Sequence, residues 1–135
     1  MNEDTYIWIF VNTHGINQKN KNSKIILLDN HGDNEKPGDP KDYVSIVWEN
    51  KNVYWMAVPS PFQKDPGPVI LEKIEKKDHG GGSNILKKGT NIPGSDGRIS
   101  GKVVDNKVTG LESYNIFLSI NGDQYVIDPK LEMHP

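Results

Sequence analysis

The chain of 135 residues contains no cysteine, which removes disulfides, thiolate metal sites and a cysteine nucleophile together. A blue-copper centre is excluded with them, because its copper requires a thiolate. Alanine is nearly absent: Ala57 is the only one, so the strongest helix former is scarce. Neither sign of charge dominates. Sixteen basic residues face 18 acidic ones, for a formal net charge of −2, so no overall field draws the chain to nucleic acid or to an anionic membrane. Long apolar runs are missing as well, and none approaches the roughly 20 residues of a membrane span. The opening Met1-Asn-Glu-Asp-Thr is acidic and leads into only six apolar or aromatic residues, without the basic region and length of a secretory leader. The expectation is a cytoplasmic protein with neither a membrane nor a nucleic-acid partner.

What is present favours β-structure. Hydrophobic residues make up 34% of the chain, beside 13 Gly and 9 Pro, the composition of a loop-rich β protein rather than a helical bundle. The length suits one domain, residues 1–135, with a core of its own. The clearest element is a hairpin over residues 114–131, in which Asn121-Gly122 supplies the two positions that most readily accept φ > 0 in a type I′ turn. Tyr114, Ile116, Leu118 and Ile120 recur with period 2 and mark its inward face. At its exit, Asp128 precedes Pro129, and its carboxylate is expected to accept main-chain bonds there.

Further strands are expected at residues 6–11 (YIWIFV), read as buried on both faces in the middle of a sheet, and at 24–29, 43–48, 53–58, 69–74 and 98–104. Residues 49–52 suit either a second hairpin or a connection between sheets. Residues 30–42 and 75–97 read as loops. The second is long enough to be functional or mobile. Seven or eight strands at this spacing predict an all-β fold: a single antiparallel β-sandwich, Ig-like or cupredoxin-like, with long loops.

The chemistry-bearing residues form no specific motif. His14, His31, His79 and His134 lie at strand ends or in loops, where a sandwich can gather residues distant in sequence. No pair has the spacing of a metal site, so solvated loop histidines are the reading and no metal or cofactor is expected. Residues 29–35 (DNHGDNE) repeat oxygen ligands around a glycine as a calcium loop does. An EF-hand, however, needs Gly at its sixth position and Glu at its twelfth, which here are Asn34 and Pro40. A hydrophilic turn held by Asx bonds is the simpler account. The glycine-rich stretches 80–84 and 94–97 do not link a strand to a helix carrying Lys and Thr, so neither is a phosphate loop. No Gly-x-Ser-x-Gly elbow occurs either.

Aromatic residues carry more information. Trp8, Trp48 and Trp55, with Tyr43 and Tyr54, lie on expected strands, and neighbours such as Tyr54 and Trp55 face opposite sides of a sheet. Core packing is the favoured reading. The competing one is a glycan-binding surface on which Trp48, Tyr54 or Trp55 act as stacking platforms, with Asn and Asp side chains from loops as hydroxyl partners.

The opening apolar strand, the segments 43–48 (YVSIVW), 99–104 (ISGKVV) and 114–120 (YNIFLSI), and the ending 125–131 (YVIDPKL) together resemble the PixA/AidA-type inclusion-body proteins. The resemblance implies a bacterial β-sandwich without known catalysis that accumulates or self-associates, in some members under density or phase control. It maps no catalytic residue onto this chain. Three functions are therefore expected, in descending order. The first is a non-catalytic sandwich acting by self-association or by binding a partner or ligand. The second is a carbohydrate-binding, lectin-like module. The third is a metal-dependent enzyme in which His14, His31 or His134 converge with carboxylates.

Overall fold

Strand burial alternates with period 2 along two of the longer strands. In β1 (Thr5–Val11) residues 5, 7, 9 and 11 are buried while Tyr6, Trp8 and Phe10 turn away; β8 (Leu111–Ile120) buries every second residue from Glu112 to Ile120. The computed structural model describes residues 3–31, 39–77, 79–88, 92–93 (backbone alone) and 97–135. Between β1 and β8 come α1 (Lys21–Lys24), β2 (Ile25–Asp29), β3 (Val44–Val47), β4 (Asn52–Pro59), β5 (Val69–Lys76), β6 (Ile92–Pro93) and β7 (Ile99–Lys102). β9 (Asp123–Ile127) and β10 (Lys130–Met133) follow.

The strands form two packed sheets, a β-sandwich as expected. The first has the order β2-β1-β4-β7-β6; the second has the order β3-β10-β8-β5, with β9 also paired to β8. Both sheets are mixed rather than purely antiparallel, because β1 runs parallel to β4 and β3 parallel to β10. The chain crosses to the second sheet for β3 and returns beside β1 for β4, which brings it back in β1's direction. Residues 49–51 are thus a connection between sheets, with Asn50 at φ 60°. Ten strands stand among the described residues instead of seven or eight; the short β6 and the separate β10 enlarge the set. β9 and β10 pair with the same edge of β8, and Pro129, which has no N–H to give a ladder, stands at the break between them.

The hairpin turn has the expected geometry, with Asn121 at φ 53° and Gly122 at φ 87°. Tyr114, Ile116, Leu118 and Ile120 are fully buried. They meet Ile7, Ile9, Val53 and Trp55 of the first sheet in one core, where Trp55 Nε1 donates to the Tyr114 hydroxyl at 2.9 Å. Residues 69–74 form a strand as expected, and β5 continues to Lys76.

Three local readings change. Residues 6–11 lie mid-sheet between β2 and β4, but only their inner face is covered, since the second sheet packs on one side alone. Residues 75–97 are not wholly loop: β6 lies among them, and Ile85 and Leu86 are buried in the core with both their N–H groups donating to the Glu112 carboxylate, at 2.7 and 2.8 Å. Asp128 pairs with the Lys77 ammonium, Nζ to Oδ2 3.4 Å, in place of the main-chain bonds expected of it.

Candidate binding surface on the first sheet

The outward residues of the first sheet are set by strand parity and register. Tyr6, Trp8 and Phe10 of β1 lie beside Tyr54, Met56 and Val58 of β4, and Trp8 and Phe10 lie beside Leu28 and Ile26 of β2. None of these eight side chains carries a charge. Trp8 is 38% and Ile26 43% exposed. Strands about 4.8 Å apart and about 14 Å from Tyr6 to Phe10 give a patch on the order of 300 Å², the size at which exposed apolar surface is commonly functional.

The rings on this face lean on one another. Tyr6 and Tyr54 stack with centroids 4.9 Å apart at 19°, and the Arg98 guanidinium lies 5.1 Å from the Tyr54 centroid, so Tyr54 has a neighbour on each side. Trp8 and Phe10 run nearly parallel at 6.4 Å. At the β2 end, Phe10, Ile26, Leu28, Ser60, Pro61 and Phe62 line an apolar depression of about 250 Å³. Phe62 stands on its rim, 96% exposed. No carboxylate or histidine stands among these side chains, and their hydroxyls are those of Tyr6, Tyr54 and Ser60.

The three residues named from the sequence fall in different places. Trp55 is fully buried and Trp48 is 9% exposed, whereas Tyr54 is on the outer face. Trp55 belongs to the hydrophobic core, whereas Trp48 is buried outside that cluster, against two histidine rings. Trp8 and Phe10 are missed by the sequence reading because residues 6–11 read as doubly buried, and Ile26 and Phe62 carry no pattern that marks them. The usable signal was the aromatic at every second position, Tyr6, Trp8 and Phe10, which strand parity puts on one side.

Two of the four histidines contact one ring, that of Trp48. Trp48 lies between His31, with centroids 4.4 Å apart at 64°, and His134, at 5.0 Å and 15°. His14 and His79 are exposed elsewhere. Among the described residues no group of three or more metal-ligating side chains is assembled. Asp29 shows the Asx bond expected of its turn, Oδ1 accepting from the His31 N–H at 3.0 Å, while Oδ2 accepts from the Tyr43 hydroxyl at 2.8 Å. Residues 32–35, the rest of the calcium-like stretch, lie outside the described residues. Burial, and then the bond to Asp29, raises the Tyr43 phenol far above its ordinary range; burial does the same to Tyr114.

Among the described residues no helix is long and apolar enough to cross a membrane. No family model matches the chain, and the curated proteins provide no match to it.

Proposed function

We propose that this chain is a non-catalytic binding domain that acts by association, in the first instance with its own copies, through the outer face of the first sheet. The observation that carries the reading is the uncharged aromatic and apolar surface of Tyr6, Trp8, Phe10, Ile26, Leu28, Tyr54, Met56 and Val58 in a chain near charge neutrality, a condition that favours association. The PixA/AidA-like pattern of the sequence supports the same reading, with a bacterial source and a cytoplasmic setting belonging to it. Glycan binding ranks below. A sugar stacks on an open ring face, and Tyr54 is lined by Tyr6 on one side and Arg98 on the other.

Light scattering on size-exclusion fractions, over a concentration series reaching about 1 mM, tests the proposal. Mass is expected to rise with concentration, and Trp8→Glu is expected to weaken association by roughly thirtyfold, as the loss of a tryptophan anchor worth about 2 kcal/mol would. A strict monomer throughout overturns self-association. Unchanged association in the variant moves it off this face.

A further inference from the structure

At the end of the sandwich where β1 begins, the proton positions around His31 follow from hydrogen-bond counting. Thr5 is fully buried, and its hydroxyl donates to the Ile46 carbonyl at 2.8 Å. A hydroxyl has one proton, so the same oxygen, 2.9 Å from His31 Nε2, must accept, and Nε2 carries hydrogen. The other ring nitrogen, Nδ1, faces Glu3 Oε2 at 3.4 Å. A second proton there makes an ion pair with the carboxylate. Without it, a lone pair opposes a negative oxygen and the contact is lost.

We propose that His31 is a proton-operated clasp that ties the residues entering β1 to the Trp48 end of the sandwich. The His31 side chain is 4% exposed, while Glu3 remains 45% exposed. Protonation therefore changes a contact at a buried ring, and its carboxylate partner can swing into water. Among the described residues, the charged and titratable groups near the ring come from several elements. Glu3 faces Nδ1. Asp29 accepts from the His31 main chain and from Tyr43. His134 lies across Trp48, with the Lys107 ammonium 3.4 Å from its carbonyl and 3.3 Å from Glu49. The clasp acts on the strand entry because Asp4, next to Glu3, accepts the Asn52 N–H at 2.9 Å, and Tyr6 follows on the outer face. Loss of the Nδ1 proton loosens this entry and leaves the sheets in place.

Amide hydrogen exchange across about pH 5 to 8, the range in which histidines change charge, tests the clasp once rates are corrected for intrinsic base catalysis. Protection at Thr5, Tyr6 and Ile7 is expected to fall severalfold from the acid to the alkaline side of the window in the unaltered chain. The fall should vanish in His31→Gln and persist in His134→Gln. Should His31→Gln not fold, Glu3→Gln, at an exposed position, gives the same comparison and is expected to abolish the pH dependence. Constant corrected protection in the unaltered chain, or an unchanged fall in Glu3→Gln, overturns the proposal. Neither result bears on association through the sheet face.

Discussion

Replacing Glu112 by alanine should be among the most damaging single changes in this protein. Its side chain is 2% exposed and ion-paired with Lys76, itself only 14% exposed, while its other oxygen accepts the Ile85 and Leu86 N–H groups. Truncation leaves two buried N–H groups without an acceptor, about 1–3 kcal/mol each, and strands an ammonium, a loss of about 3–5 kcal/mol when one partner of a buried pair is removed. These costs overlap, so the expected total is about 4–6 kcal/mol, against a whole stability on the order of 10 kcal/mol for a domain of this size. Glu112→Gln should cost about half as much. Its one oxygen can serve the two N–H groups or Lys76, not both. In a double-mutant cycle, adding Lys76→Met to Glu112→Gln should cost less than the sum of the two by at least about 1 kcal/mol, since the stranded cation is gone. Urea denaturation followed by circular dichroism reads each value from the midpoint at a common slope. A Glu112→Ala cost below about 1 kcal/mol would refute the assignment of Glu112 as the acceptor that holds residues 85 and 86 in the core.

Gly67→Ala should lower the melting temperature by several degrees, because an added Cβ would sit 1.6 Å from Asn121 Oδ1 and displace a side chain whose Nδ2 donates to the Thr13 carbonyl at 2.9 Å. Adding Asn121→Gly, which removes the obstructing amide at a left-handed position, should restore most of the loss; an unaltered melting temperature in Gly67→Ala alone would count against this packing. Base should unfold the protein in a tyrosine-dependent way. The Tyr43 and Tyr114 phenols are raised in the folded state, so their contribution is complete below about pH 10, where unfolded tyrosine is still neutral. Above it each lowers stability by about 1.4 kcal/mol per pH unit. Absorbance at the phenolate band and circular dichroism should therefore change together for these two residues, and Tyr43→Phe should make unfolding less steep in pH. Ionisation of all five tyrosines before any loss of structure would contradict the assignment.

Much of the fold was legible because its signals are local. The type I′ turn at Asn121-Gly122 needs only two residues that tolerate positive φ, and the inward set from Tyr114 to Ile120 follows from a period of two. The candidate site was half legible by the same rule. Parity alone separates Tyr6, Trp8 and Phe10 from Ile7 and Ile9, and Tyr54 from Trp55. Parity does not say which of two apolar faces the second sheet will cover, and β1 is apolar on both, so the open face was invisible along the chain. Glu112 was hidden for a related reason: its inward position within β8 is predictable, but its partners come from residues 76, 85 and 86, distant in sequence.

Composition and periodicity by themselves determined a strand-rich chain, its closing hairpin and the exclusion of cysteine chemistry, because each depends on residue identity or on neighbours a few positions apart. Tertiary structure alone decided the parallel β1–β4 pairing, the gathering of His31 and His134 on Trp48, and the exposure of one aromatic sheet face. Those are contacts between distant segments, and they exist only once two sheets have chosen which sides to bury against each other.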